Sequence, residues 1–177
     1  THVTEVNQIA ATIVTFANHI ITTNITITIN GQPYRYVGFQ VEPNDLLNLK
    51  TLYQATDGAN WTHRKWSFLS NGRLVSDFPG VTFSSANELG YSRVVELDLV
   101  KNNMKGDISG LTLYFPELTS LNLYYNQLSG DITQMVSQLS KLTYLDISYN
   151  MLTGLTRLPE TVTSLNKGYQ FRGDYNQ

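Results

Sequence analysis

From Val94 onward the apolar positions fall into one rhythm. The segments VVELDLVKNNMKGDI from Val94, LTSLNLYYNQLSGDI from Leu118 and LTYLDISYNMLTGL from Leu142 start 24 residues apart and share the pattern LxxLxLxxNxLxG. Apolar residues at the fourth and sixth positions of each copy put alternating side chains of a short strand on one face, and the eleventh tucks a further one inside the turn that follows. One copy cannot bury that face by itself, so copies must stack into a parallel sheet with a continuous interior. Its predicted core is Val94, Leu97, Leu99 and Met104, then Leu118, Leu121, Leu123 and Leu128, then Leu142, Leu145, Ile147 and Leu152. Asn102, Asn126 and Asn150 follow the three strands, where a buried amide satisfies backbone groups that the bend leaves unpaired, so a structural Asn ladder is expected. A degenerate fourth copy starts at Val162. It keeps Leu165 but has Lys167 where an inward aliphatic belongs and Gln170 in place of Asn.

The pattern changes upstream. Pro43, Asn44 and Asp45 signal a helix start, Leu46, Leu49, Leu52 and Tyr53 its apolar face, and Gly58 its end. Earlier still, Asn30-Gly31 separates ITITI from QPYRYVGFQV. Asn-Gly suits a type I′ turn, so a β-hairpin is predicted, with Ile25, Ile27 and Ile29 alternating on one strand and Tyr34, Tyr36 and Phe39 on the other. Val6, Ile9, Ala10, Ile13 and Ala17 have helical spacing, which predicts a helix within residues 4–20.

These motifs resemble the leucine-rich repeat family, and within it the plant-type repeat that has G-x-I after the Asn turn and also occurs in bacterial secreted and surface proteins. Gly106, Gly130 and Gly154 stand in register, with Ile108 and Ile132 two residues after the first two. LKTLYQATDGANWTHRKW (residues 49–66) and Pro79-Gly80-Val81-Thr82 resemble the cap that precedes such repeats. Many plant caps carry Cys where this chain has Thr62 and Phe83, which points toward a bacterial secreted protein. The expected fold is therefore α/β, a short leucine-rich repeat solenoid with parallel strands on its concave face, a helical N-terminal cap and a hairpin-bearing extension. Its expected divisions are the extension (1–42), the cap (43–93), the repeats (94–117, 118–141, 142–161 and the degenerate 162–171) and a tail (172–177).

Composition narrows the function. Twelve basic and 14 acidic side chains leave a net charge of −2, too weak a field to recruit nucleic acid or an anionic membrane. With 41% hydrophobic residues the chain can bury a core, yet only 15% are charged, and polarity comes from 20 Thr, 16 Asn and 13 Ser. Apolar runs are broken by Thr or Asn well short of the roughly 18 residues that span a bilayer, so no membrane insertion is expected. There is no Cys, and His2, His19 and His63 all lie outside the repeats. No nucleophile–base arrangement, phosphate loop or zinc motif occurs, so no enzyme activity, cofactor or metal is expected. The chain opens on Thr1 rather than Met, which reads as a processed product or an excised piece whose targeting segment has gone.

What the repeats do predict is a surface. Side chains at the third, fifth, seventh and eighth positions point to the concave face and stack in columns about 4.8 Å apart. The third column holds Glu96, Ser120, Tyr144 and Ser164, the fifth Asp98, Asn122, Asp146 and Asn166. The seventh holds Val100, Tyr124, Ser148 and Gly168, the eighth Lys101, Tyr125, Tyr149 and Tyr169. Tyrosine offers a rigid apolar body with a polar tip at little entropic cost, suited to protein hot spots and to sugar stacking. Expected ligand-binding residues are thus Glu96, Asp98, Lys101, Asn122, Tyr124, Tyr125, Tyr144, Asp146, Tyr149 and Tyr169. The resemblance implies a non-enzymatic module, extracellular, cell-surface or periplasmic, that binds an unidentified protein. A glycan ligand and a purely structural spacer role are the alternatives. Arg172-Gly173-Asp174, an integrin-type tripeptide, and the sequons at Asn24 and Asn60 read as incidental.

Overall fold

The computed structural model describes residues 25–29, 32–36, 40–66 and 78–168. The helix expected within 4–20, Phe39, Tyr169 and the Arg172-Gly173-Asp174 tripeptide lie outside them. Strands β1 (Ile25–Ile29) and β2 (Gln32–Tyr36) pair antiparallel, with Ile29 opposite Gln32; Asn30 and Gly31 between them lie outside the described residues. The strand pairing is the one that the hairpin pattern predicts.

The short strand β3 (Gln40–Val41) leads into helix α1 (Pro43–Ala55), whose first turn is capped by Glu42. Its carboxylate accepts from the N–H groups of Asn44 and Asp45. The helix buries Leu49 and Leu52 as the apolar spacing requires, but two positions differ from expectation. Leu46 is turned outward and exposed, and Asp45 is fully buried in its stead. Asp45 is buried because it has specific partners: it accepts 2.8 Å from Arg93 Nη1 and 2.9 Å from the Val94 N–H, pinning the helix to the start of the first repeat. Burial nonetheless pushes its carboxyl above the ordinary value, against the pull of the Val94 N–H and the Arg93 charge.

Strand β4 (Val81–Phe83) follows, then β5 (Tyr91–Ser92), which pairs parallel with β3. The repeats supply β6 (Val94–Asp98), β7 (Lys105–Asp107), β8 (Ser120–Asn122), β9 (Gln127–Asp131), the short helix α2 (Thr133–Ser137), β10 (Tyr144–Asp146), β11 (Met151–Thr153) and β12 (Ser164–Asn166). Two sheets result. In one the order is β12-β10-β8-β6-β4, parallel except for β4, which runs antiparallel to β6 and closes the N-terminal end of the array. In the other, β11, β9 and β7 lie parallel. This is a leucine-rich repeat solenoid of about three turns with an N-terminal helix.

All twelve core residues expected from the repeats are buried, and the cap closes the same core with Trp61, Trp66 and Phe78. These rings meet edge to face, Trp61 to Trp66 at 4.8 Å and Trp66 to Phe78 at 5.7 Å between centres. The indole N–H groups donate to backbone carbonyls, Trp61 to Thr56 and Trp66 to Pro79. At the other end the degenerate copy does form β12, in register with β10. Leu165 remains 36% exposed, however, and all three strand residues face solvent to a large degree.

The repeat glycines mark where turns nest. Gly130 and Gly154 adopt positive φ of 91° and 79°, and a Cβ there would meet the carboxylate of the preceding repeat, Asp107 at 2.0 Å and Asp131 at 1.8 Å. Those aspartates fold back on their own chain, accepting 2.8 Å from the N–H groups of Ser109 and Thr133.

Candidate functional site

The three ladder asparagines are buried and each reaches toward the N-terminal side of the stack. Asn126 Oδ1 accepts from the N–H groups of Asn102 and Met104, both at 3.0 Å, while its Nδ2 donates to the carbonyls of Leu99 and Leu123. Asn150 repeats the arrangement one turn on, accepting from Leu128 N–H and donating to Leu123 and Ile147. Asn102 has no earlier repeat behind it. Its Oδ1 accepts instead from the backbone of His63 and Arg64, and its Nδ2 donates to the Arg64 carbonyl, so the ladder ends inside the cap.

The ladder fixes the strands in register and hence the columns on the outer face of the five-stranded sheet. Glu96, Ser120, Tyr144 and Ser164 stand side by side, as do Asp98, Asn122, Asp146 and Asn166. Their environments are unequal. Glu96 is exposed and accepts from Thr82 of the cap strand. Asp98 pairs through Oδ2 with Arg64, and its Oδ1 is buried with no hydrogen-bond partner among the described residues. Asn122 Oδ1 caps the turn by accepting from Tyr124 N–H. Asp146 is 7% exposed and engaged inside the fold, accepting from Ser148 N–H, from Ser148 Oγ and from Asn166 Nδ2. It therefore shapes the face more than it is presented on it. Tyr144 keeps its hydroxyl proton more firmly than an ordinary tyrosine, through desolvation first and then through the negative charge and hydrogen bonding of Asp146 and the charge of Asp98.

The eighth column is built on strained backbone. Lys101, Tyr125 and Tyr149 all have left-handed φ, 51°, 56° and 55°. For residues with a Cβ this conformation costs about 1 kcal/mol each. The turns gather Tyr124, Tyr125 and Tyr149 into one cluster. Ring centres lie 5.3 Å apart for Tyr124 and Tyr149, and 5.9 Å for both Tyr124–Tyr125 and Tyr125–Tyr149. Tyr125 is half exposed, and the Lys101 ammonium lies 5.5 Å from its ring centre and 6.0 Å from that of Tyr124.

Two contributors escaped the repeat pattern. Arg64 reaches from the cap onto the first repeat, pairing with Asp98 and donating through Nη1 to the Val100 carbonyl at 3.2 Å. Thr82 meets Glu96 from the antiparallel cap strand. No sequence signal marks either, because both come from irregular cap segments placed by tertiary packing. Among the described residues no three His, Asp or Glu side chains assemble as a metal site, and no helix is long and apolar enough to cross a membrane.

Comparisons agree with this architecture. The leucine rich repeat family models match residues 92–152 and 141–165. No curated protein matches the chain. Among solved structures, it is similar to the BIR3–SERK2 complex from Arabidopsis thaliana at 28% identity and a TM-score of 0.55, over 71% of this chain and 69% of that one. The leucine-rich repeat ectodomain of the receptor kinase SOBIR1, also from Arabidopsis thaliana, is 21% identical with a TM-score of 0.37, over 64% of this chain and 71% of that one. Such repeats generally serve as non-enzymatic scaffolds for protein–protein interaction. The ladder, the registered core and these matches together identify residues 92–165 as leucine-rich repeats.

Proposed function

We propose that this protein is a secreted or surface-borne recognition module, bacterial in the type of its cysteine-free cap, that binds a protein partner through the concave face of its repeats. The observation that carries this reading is the cluster of Tyr124, Tyr125 and Tyr149. Two of these rings stand on left-handed backbone, where Gly or Asn would fit at less cost, and Tyr125 remains half exposed. Rigid aromatic side chains of this kind dominate interface energetics. No two of the rings are coplanar, with interplanar angles of 70°, 43° and 32°, so they form a ridged surface suited to interdigitating side chains. A sugar stacks better on a flat platform.

The residues offered to a partner are Glu96, Asn122, Lys101, Tyr124, Tyr125, Tyr144 and Tyr149, with Asp98 and Asp146 setting the charge beneath them; Tyr169 belongs to the same column by sequence. The solved relative that supports a protein partner is itself a complex, BIR3 with SERK2. The test is capture of partners from host and bacterial extracts by the wild-type chain and by a variant in which Tyr124, Tyr125 and Tyr149 are all Ala, once circular dichroism shows both folded. A partner retained by wild type and weakened at least about tenfold in the variant is expected, since truncating hot-spot aromatics costs roughly 2 kcal/mol or more. Equal affinity of both would reject the concave face as the site.

A further inference from the structure

A cation already lies on the tyrosine cluster, and this bears on what the partner brings. Lys101 makes no ion pair among the described residues; its ammonium is placed 5.5 Å and 6.0 Å from the ring centres of Tyr125 and Tyr124. Tyrosine ring faces are electron-rich and attract a cation within about 6 Å, so these two rings form a cation-accepting pair that the protein fills with its own side chain. The lysine is exposed, and a cation–π contact at an exposed site is weak enough to exchange with water.

The face around the pair is negative. Glu96, Asp98 and Asp146 stand on neighbouring strands; of the nearby cations, Arg64 is already paired with Asp98 and Lys101 lies against the rings. The upward shift of Tyr144, caused by desolvation and then by Asp146 and Asp98, reports the same local field from within the sheet.

We propose that the segment taken by the concave face is basic, and that an Arg or Lys of the partner replaces Lys101 over Tyr124 and Tyr125. This rests on the concave-face reading above and names the chemistry of its ligand. An Arg guanidinium suits the rings best, since it stacks on aromatic faces and is less strongly hydrated than an ammonium. The displaced lysine moves into solvent, so Lys101 acts as a built-in competitor that lowers affinity for cations and would raise it for anions.

That opposite sign is the test. Tetra-arginine and tetra-glutamate peptides are titrated into the full chain and into Lys101→Met, with the ring signals of ¹³C-labelled tyrosine as the readout. Lys50→Met serves as a control that removes one charge from the exposed surface of the cap helix. Tetra-arginine is expected to shift the Tyr124 and Tyr125 signals, less so at high salt, and to bind about two- to fivefold more tightly to Lys101→Met, with no such gain in Lys50→Met.

Three results would overturn the inference: unchanged or weaker tetra-arginine binding in Lys101→Met, tetra-glutamate moving the same ring signals, or neither peptide reaching them. The two readings fail separately. A captured partner that depends on the tyrosines but loses affinity in Lys101→Met would sink the basic-segment inference and leave the concave face standing.

Discussion

The repeats and the cap hold the same sheet by different means. In the repeats each contact recurs one turn on: Thr119 N–H donates to the Val95 carbonyl as Thr143 N–H donates to that of Thr119, and Asn150 reaches back as Asn126 does. In the cap nothing recurs. Asp45 holds Arg93 and Val94, Arg64 holds Asp98 and Asn102, and three aromatic rings close the end of the core. A periodic array shares its stability among nearest-neighbour interfaces, whereas a cap concentrates it in single contacts. Damage to the cap should therefore open the molecule from one end, and damage to a repeat should split it.

The sharpest way to break that distinction is Trp61→Ala. Removing a fully buried indole with two edge-to-face partners is expected to cost about 4 kcal/mol in urea unfolding. Hydrogen exchange should lose protection in α1 and β4 while β10 and β11 stay protected; uniform loss would show cap and repeats to be one cooperative unit. Asn126→Ala comes next, at about 3 kcal/mol, because the N–H groups of Asn102 and Met104 and the carbonyls of Leu99 and Leu123 lose their partners inside the core. Its exchange signature should centre on β6 to β8, and a cost under about 1 kcal/mol would mean that water replaces the amide.

Asp45→Ala should cost about 2 kcal/mol by leaving the Val94 N–H unsatisfied, with thermal unfolding as the measure. Asp45→Asn, which keeps an acceptor, is expected to recover part of it. Gly130→Ala is expected to lose about 1–2 kcal/mol, since its φ of 91° is strained for alanine and the new methyl collides with Asp107. An unchanged midpoint would show that the Asp107 side chain yields freely.

The smallest effect concerns acid. Asp107 and Asp131 are held below the ordinary carboxylate value, chiefly by the Ser109 and Thr133 hydroxyls and then by the backbone N–H groups of the same residues. A lowered folded value means that their stabilisation is complete above the unfolded value near 3.8 and is lost as pH falls through the folded one. Asp45, raised by burial, has the opposite slope, favouring the folded state less as pH climbs past its ordinary value. Unfolding measured from neutral to acid pH should lose less stability in an Asp107→Asn, Asp131→Asn double variant than in wild type. An identical slope would remove the two aspartates as the cause.

The sequence by itself determined the repeat interior, because a strand with one buried face must alternate and a stack must repeat. The 24-residue interval therefore specified which Leu, Ile and Val side chains are inside and which residues share a column. It determined the pairing of β1 with β2 as well, since two alternating runs set two residues apart read as a hairpin. Tertiary structure alone decided where single polar groups go. Asp45 is buried and Leu46 exposed because Arg93 and Val94 lie 48 and 49 residues away in sequence yet meet the helix in space. Arg64 joins the first repeat for the same reason, and Asp146 sinks into the sheet because Ser148 and Asn166 satisfy it. A local pattern encodes burial that recurs with the backbone's own period; a contact made once between distant segments leaves no period to read.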